Sequence, residues 1–255
     1  MRPFPLWRPA LAWLLVLGPL FILSYSATNH RAATLPDVPS IVFDWERHIP
    51  LWPWTIVPYL SLDLLYGLSL LLCRAWQELH RHALRLLTAQ LVCVACFFAF
   101  PLRFSTPRPD VQGWAGPLFD ALTAVDLPYN QAPSLHIVLL VILWDFYRRH
   151  TRGALRAFVH VWSALIGLSV LTTYQHHFID VPTGLLVGVL CLGLWPLQGP
   201  LPAWRRRAAP AGRRRLVLPP QAGNARGLDA AGRHRPARVS GSAPARAPSR
   251  YDSPP

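Results

Sequence analysis

Three short polar clusters contain the residues of this 255-residue chain whose types and spacing could do chemistry. They are R-F-S-T-P-R-P at Arg103–Pro109, P-S-L-H at Pro133–His136 and H-H-F-I-D at His176–Asp180. The arginines suit an anion, because a guanidinium presents a planar fork of donors that matches phosphate oxygens. One histidine can give a proton, and a second histidine beside an aspartate can attack phosphorus. Together the clusters indicate phosphate-ester chemistry.

The second cluster predicts a helix start that binds an anion. Pro133 suits the first position of a helix, and the free N–H groups of a first turn attract anions. Ser134 can add a hydroxyl donor, and His136 would lie about one turn into the helix. An isolated histidine is more often structural, but ionisable residues in membrane helices are rare and usually functional. We therefore predict that Ser134 binds phosphate and that His136 acts as a general acid.

The third cluster predicts a nucleophile together with its orienting carboxylate. His176 and Asp180 are four residues apart, so one helical turn would bring them together. A carboxylate on one ring nitrogen fixes the tautomer and leaves the other nitrogen free to attack. Pro182 removes a backbone donor, so the helix can begin at Asp180 itself. Asp180 could instead cap that helix beside an unrelated histidine. We interpret the adjacent His177 either as a residue that supports the site from behind the nucleophile or as structural.

Two further interpretations concern charged groups. Two histidines and an aspartate could ligate zinc, but a metal site would not require paired arginines in the same compartment. We therefore predict neither a metal nor any other cofactor. Asp63 lies within an apolar run, where a charge at the centre of a membrane helix costs ~2.5–3.5 kcal/mol. We expect its carboxylate to face a pocket or the membrane interface.

The composition of the chain indicates a membrane protein. Hydrophobic residues make up 52% of the sequence and charged residues only 15%, which is too few for a soluble domain of this size. Six apolar runs predict helices, and most of them approach the ~20 residues that cross a bilayer. They are approximately Pro9–Tyr25, Ile56–Cys73, Ala83–Phe100, Ser134–Tyr147, Ala154–Leu171 and Phe178–Leu197. The sequence therefore predicts an all-α polytopic membrane protein, a six-helix transmembrane bundle, in which the first run could alternatively be a cleaved signal peptide.

The arginines predict the orientation of the chain in the membrane. Before residue 202, nine arginines fall on one side of the predicted helices and four on the other, and the richer side is expected in the cytoplasm. Both termini are then cytoplasmic, and all three polar clusters face away from the cytoplasm. The 27 Pro, the many Ala and Arg and the lack of Lys suggest a GC-rich genome, so we expect a bacterial inner membrane.

The basicity of the chain is concentrated in its last segment, residues 202–255. This segment has twelve arginines against Asp229 and Asp252, and almost no aromatic residue. Such a segment cannot bury a core, so we predict a disordered tail. The clusters Arg205–Arg207 and Arg213–Arg215 follow the last apolar run, and we expect them to contact anionic lipid heads. Nucleic-acid binding is not expected, because the tail lacks interleaved aromatic residues.

The three clusters, taken in order, resemble the motifs of the type 2 phosphatidic acid phosphatase superfamily, whose members are six-helix membrane enzymes that pass phosphate through a phosphohistidine. By position, the resemblance implies that Arg108 and Ser134 bind phosphate. It implies that His136 is the acid, that His176 is the nucleophile and that Asp180 is its orienting carboxylate. The motifs are specific as a set and weak singly.

The chain also departs from the usual motifs of that superfamily. Pro101 stands where the first motif has a lysine, and Val170 stands where the third motif has an arginine. Two phosphate-binding cations are therefore missing, and Arg103 is a candidate replacement for one of them. The resemblance implies a membrane catalytic domain at residues 43–201, preceded by an N-terminal transmembrane helix and outer loop at residues 1–42.

With fewer cationic residues in its motifs, the chain more closely resembles the branch that contains inositol-phosphorylceramide and sphingomyelin synthases, which transfer lipid head groups. The resemblance implies a phosphatase that hydrolyses a lipid phosphate or pyrophosphate ester on the non-cytoplasmic face of the membrane. Head-group transfer by the same residues is the alternative, and a catalytically inactive membrane interaction protein is a third. The lipid phosphate substrate and the membrane lipids are the predicted partners.

Overall fold

The computed structural model describes residues 6–107 and 110–198, and these form seven α-helices. In chain order they are α1 (Trp7–Ala33), α2 (Ile56–Leu71), α3 (Trp76–Ala99), α4 (Gly116–Val125), α5 (Leu135–His150), α6 (Gly153–Thr172) and α7 (Asp180–Leu194). Short 3₁₀ helices lie at Asp44–His48, Pro53–Thr55 and Gly113–Ala115. The described residues contain no β-strand, so the predicted all-α fold is confirmed. Each predicted apolar run overlaps one helix, whereas the short helix α4 was not predicted.

Within the described part of the chain, four segments are long and apolar enough to cross a membrane, and they identify the chain as a membrane protein. They are Trp7–Ala33, Pro53–Leu71, Trp76–Ala99 and Gly153–Thr172. The helices α5 and α7 have 16 and 15 residues, fewer than the ~20 of a full crossing. Large apolar side chains of α1 and α6 are exposed; Leu23 and Val161, for example, are 70% and 61% exposed. A lipid environment explains this exposure. The finer arrangement of six crossings remains a prediction.

The helix α5 forms the centre of the bundle. Every residue from Ile137 to Leu143 is buried, so this helix is covered on all sides by its neighbours, α2, α3, α6 and α7. Its closest neighbour is α7, which carries Gly184 and Gly188 four residues apart. A Cβ atom on Gly184 would lie 2.8 Å from the carbonyl oxygen of Ser134, and one on Gly188 would lie 2.7 Å from Cβ of Val141. Small residues at this spacing let two membrane helices approach closely, which places the first residues of α5 and α7 side by side.

The ends of the helices define two ends of the bundle with opposite charge. At the end that we call the site end, the N–H of Ser134 donates to the carbonyl of Asp180 (3.1 Å). At the opposite end, which we call the basic end, Arg81 of α3 donates to the carbonyl of Pro196 after α7 (2.8 Å). The described acids of the site end are Asp37, Asp44, Glu46, Asp63, Asp110, Asp120, Asp126 and Asp180. The described arginines of the basic end are Arg8, Arg74, Arg81, Arg85, Arg148, Arg149, Arg152 and Arg156.

Two parts of the sequence predictions lie outside the described residues. One is Arg108, a predicted phosphate ligand, and the other is the basic tail at residues 202–255 with its predicted disorder and lipid contacts. The helix α1 runs without interruption through Ala27, the site of the alternative signal-peptide cleavage, and ends at Ala33. Cleavage there would separate Tyr25 from the cavity that it lines.

Candidate active site

A cavity of about 220 Å³ lies at the site end, between α1, α2, α4, α5 and the loop before α7. Its polar lining comprises Tyr25, Ser26, Tyr59, Asp63, Asp126, His136 and His176. Its apolar lining comprises Phe21, Ile22, Leu122, Val125, Leu135 and Leu139. Such a wall, which combines apolar side chains with convergent polar groups, is typical of a small-molecule site. The cavity brings together His136 and His176, which are 40 residues apart in the sequence.

His176 and Asp180 form a buried pair beside this cavity. Nδ1 of His176 lies 3.2 Å from Oδ2 of Asp180, and the same oxygen accepts the N–H of His177 at 3.0 Å. An ionised carboxylate can only accept, so we assign the His176 proton to Nδ1. Nε2 of His176 has no hydrogen-bond partner within the described residues, and it keeps its lone pair. This arrangement leaves Nε2 free to attack an electrophile in the cavity.

The local fold that brings His176 to Asp180 differs from the predicted helical turn. The helix α7 begins at Asp180, as Pro182 suggested, and His176 lies in the loop before it. That loop follows a Schellman motif at the end of α6: Tyr174, with φ of 54°, donates to Leu171, and Gln175 donates to Val170 (both 3.2 Å). The N–H of His176 donates to the same carbonyl of Val170 at 3.1 Å. The C-cap of α6 therefore sets the position of the histidine.

His136 is the second residue of α5 and is held by the start of α2. Its ring stacks on that of Tyr59, with centroids 4.0 Å apart, and its Nε2 lies 3.0 Å from the carbonyl oxygen of Tyr59. A carbonyl can only accept, so we place a proton on Nε2. Nδ1 has no hydrogen-bond partner within the described residues. It is therefore the atom of His136 that can gain and release a proton toward a bound group.

Ser134 joins the two helix starts rather than lining the cavity. It is the N-cap of α5, where its Oγ accepts the N–H of Ile137 (3.4 Å) while its own backbone N–H donates to the backbone carbonyl of Asp180. The side chain is fully buried. The helix begins after Ser134, so Pro133 precedes the cap instead of taking the predicted first helical position. The phosphate contact of Ser134 stays a prediction.

Arg103 is not brought to the cavity wall. Its backbone N–H donates to the carbonyl of Pro39 (2.9 Å), but its side chain is exposed and has no hydrogen bond within the described residues. Arg108, the other predicted phosphate ligand, lies outside them. Among residues 6–107 and 110–198, the cavity therefore has no arginine on its wall.

Two carboxylates line the cavity instead. Asp63 was expected to face a pocket or the interface, and it lies on this wall. Asp126 was not anticipated; its Oδ1 accepts from the hydroxyl of Tyr25 (3.1 Å) and from Nδ2 of Asn29 (3.3 Å). No signal near Asp126 in the sequence indicates these contacts, because Asn29 lies 97 residues away. The ionisable side chains of the described wall, apart from its histidines and tyrosines, are thus carboxylates.

The described residues contain no group of three or more His, Cys, Asp or Glu side chains that could hold a metal ion. Of the cavity carboxylates, Asp63 lies on α2 and Asp126 directly follows α4. Oδ2 of Asp180 is engaged by the donors of His176 and His177. The ionisable side chains that line the described cavity wall, apart from its tyrosines, are the imidazoles of its two histidines and the carboxylates of Asp63 and Asp126. No protein-family model matches the chain, and no curated protein matches its sequence.

Proposed function

We propose that this protein is an integral membrane enzyme that cleaves a lipid phosphate or pyrophosphate ester through a phosphohistidine on His176. The supporting observation is that His136 and His176 line one cavity while Asp180 engages the far nitrogen of His176. The resemblance to the type 2 phosphatidic acid phosphatase superfamily rests on the same residues. The apolar part of the wall, including Phe21 and Leu122, suits the chains of a lipid substrate.

The reaction takes place in two steps. Nε2 of His176 attacks phosphorus in line, the bond from phosphorus to the alcohol oxygen breaks, and Nδ1 of protonated His136 gives its proton to that oxygen. Asp180 holds the imidazole and stabilises the positive charge that develops on it. Water then attacks the phosphohistidine and gives a proton to His136, the phosphorus–nitrogen bond breaks, and phosphate leaves. Positioned acid catalysis of this kind contributes about 10²–10⁴-fold.

The proposal includes a six-helix transmembrane bundle with both termini in the cytoplasm and the site on the extracytoplasmic face of a bacterial inner membrane. The charge distribution supports this orientation, because arginines collect at the basic end and acids at the site end. Helices of the length of α5 and α7 rise about 23 Å, and their loops at the site end complete the crossing. Arg108 and Ser134 remain the proposed phosphate contacts, and the arginines of the tail the proposed contacts to anionic lipid heads.

A second candidate function, transfer of a lipid head group, is favoured by the carboxylates of the cavity. A phosphate monoester carries up to two negative charges and requires cations, whereas a phosphodiester carries one. Asp63 and Asp126 would repel a dianion, but they can accept hydrogen bonds from hydroxyl groups of a head group or of an acceptor alcohol. The same phosphohistidine would then be released by an alcohol instead of water.

The test uses the full-length protein purified in lipid nanodiscs. Phosphate release is screened with phosphatidate, polyprenyl pyrophosphate and phosphatidylglycerol phosphate, and acid-labile phosphate on the protein is trapped in single turnovers. We expect His176→Ala and His136→Ala to lose turnover, and activity to survive chelators. His160→Ala is the matched control, since His160 lies outside the cavity and bonds to Trp144. Unchanged turnover in either site variant would refute these roles.

Hydrolysis and transfer are separated by the products. Addition of inositol to a reaction on a phosphodiester lipid yields a new lipid or phosphoinositol product only if the phosphohistidine is released by an alcohol. Absence of acid-labile phosphate with every substrate, together with failure to bind orthovanadate, would instead favour the inactive membrane interaction protein.

A further inference from the structure

His177, the neighbour of the proposed nucleophile, has both ring nitrogens engaged. The backbone N–H of Ser105 donates to Nε2 at 3.1 Å, so Nε2 carries no proton. The proton therefore lies on Nδ1, which donates to Oε2 of Glu46 at 2.9 Å. The ring also stacks on Phe104, with centroids 4.4 Å apart. This histidine is consequently a fixed, neutral bridge between two other loops.

The side chain of Glu46 is nearly inaccessible to solvent, although the other charged side chains of its loop are exposed. The side chain of Glu46 is 6% exposed, whereas the side chains of Asp44 and Arg47 are 99% and 76% exposed. Its Oε2 accepts a second donor, the N–H of Phe178 (3.0 Å), and its Oε1 accepts the N–H of Phe43 (2.8 Å). A carboxylate that is buried must be compensated by hydrogen bonds, and Glu46 receives all of these from its own loop and the nucleophile loop.

These bonds complete the fixation of the nucleophile loop, residues 176–178. The N–H of His176 donates to Val170, that of His177 to Asp180 and that of Phe178 to Glu46. Three consecutive backbone donors are thus held by α6, α7 and the loop of Glu46. Asp180 Oδ2, which orients His176, is the same atom that receives the N–H of His177. Movement of His177 would therefore displace the orienting carboxylate as well.

Aromatic contacts join the loop of Glu46 to the nucleophile loop on the exposed side. The ring of Phe178 lies 5.0 Å from that of Trp45 and 6.2 Å from that of Phe43, both in edge-to-face geometry. Hydrogen bonds on the buried side and aromatic contacts on the other side make the two loops one unit. Ser105 attaches the segment after Arg103 to this unit.

We propose that Glu46 and His177 are positioning residues that clamp three loops together: residues 43–48, residues 102–107 and the nucleophile loop. The clamp sets the direction of Nε2 of His176 toward the cavity without touching the substrate. It needs neutral His177, because a proton on Nε2 would face the N–H of Ser105. The kinetic consequence rests on the proposed function, whereas the joining of the loops does not.

The kinetic test compares variants that keep or remove the bonds of His177. His177→Phe retains a ring to stack on Phe104 but removes the hydrogen bonds of the ring to Ser105 and Glu46. We expect a kcat about 10–100-fold lower with KM within about threefold, since a displacement of ~1 Å costs that much. His177→Gln keeps one donor and one acceptor and should restore part of the loss. Glu46→Gln should give a smaller loss, and Asp44→Asn, on the exposed neighbour, none.

Hydrogen–deuterium exchange tests whether the clamp joins the loops, independently of any enzymatic activity. His177→Phe and Glu46→Gln should speed exchange in peptides that cover both residues 102–107 and residues 175–179, and leave residues 85–95 of α3 unchanged. Faster exchange in only one of the two loops, or wild-type kcat in His177→Phe, would overturn the proposal. If the wild type itself forms no acid-labile phosphoenzyme, the proposed function fails, and exchange alone decides whether Glu46 and His177 join the loops.

Discussion

At the basic end of the bundle, Arg85 and Asp145 are joined by a 2.9 Å hydrogen bond and both side chains are 2% exposed, whereas at the site end Asp63 and Asp126 face a cavity. Asp145 also accepts from Arg148 and Arg149. The carboxylate of Asp63 makes no hydrogen bond within the described residues.

The buried charges of the basic end hold the bundle together, whereas Asp63 and Asp126 of the site end face a cavity that can take a ligand. Arg85 connects three helices, because it lies on α3, binds Asp145 of α5 and donates to the carbonyl of Trp195 after α7 (2.7 Å). Removal of one member of such a buried pair costs more than the pair contributes, since the partner is left uncompensated. Asp63, in contrast, lines the cavity without a hydrogen bond to the described residues, so its replacement should leave the fold intact.

The largest effect is expected at Asp180, whose backbone joins the starts of α5 and α7 and whose carboxylate orients His176. Asp180→Ala should slow phosphoenzyme formation by about 10²–10⁴-fold, because His176 loses its orienting acceptor. Asp180→Asn keeps an oxygen for Nδ1 and for the N–H of His177 but removes the charge, so its loss should be smaller. Single-turnover trapping of acid-labile phosphate measures both. Equal rates in Asp180→Ala and wild type would remove Asp180 from the mechanism.

At the basic end the expected effect is on stability. Asp145→Ala leaves Arg85 buried without its carboxylate and should lower the free energy of unfolding by about 3–5 kcal/mol, measured by denaturation in detergent micelles. Asp120→Ala, which removes an exposed carboxylate from α4, is the matched control and should change stability by less than about 0.5 kcal/mol. Similar stability of the two variants would contradict the structural role of the ion network.

A smaller effect is expected where α5 and α7 touch. Gly184→Ala would place Cβ 2.8 Å from the carbonyl oxygen of Ser134 and should cost about 1–3 kcal/mol. Gly193→Ala, on the same helix but facing open space, should stabilise by about 0.5–1 kcal/mol. Thermal unfolding of both variants checks this. A neutral Gly184→Ala would show that the two helix starts tolerate separation.

The smallest effect is expected at Asp63. Asp63→Asn should leave thermal stability unchanged and lower the ratio of transfer to hydrolysis by about tenfold, since a lost hydrogen bond to a charged group costs ~1.5 kcal/mol. The ratio is read from labelled products with and without inositol. An unchanged ratio would separate Asp63 from head-group recognition and leave hydrolysis as the function.

Helical content was predictable from the sequence, because a chain in lipid must satisfy its backbone within each segment and apolar runs do so as helices. The contact between His176 and Asp180 was predictable from their spacing, although a C-cap turn rather than a helical turn makes it. The predicted cations are not found on the cavity wall, because Arg103 is exposed and does not line it, and Arg108 lies outside the described residues. The helix α4 was missed because its ten residues carry only a short apolar face.

The amino-acid sequence by itself determined the class of the protein and the three clusters from which its chemistry is proposed. It did so because hydropathy and residue type act locally, within one helix or one loop. Only the tertiary structure decided that Asp126 meets Tyr25, that Glu46 holds His177 and that Arg85 pairs with Asp145. Those partners lie 60 to 131 residues apart. Their meeting depends on how closely α7 seats on α5 and how the other helices pack around them, which no local pattern encodes.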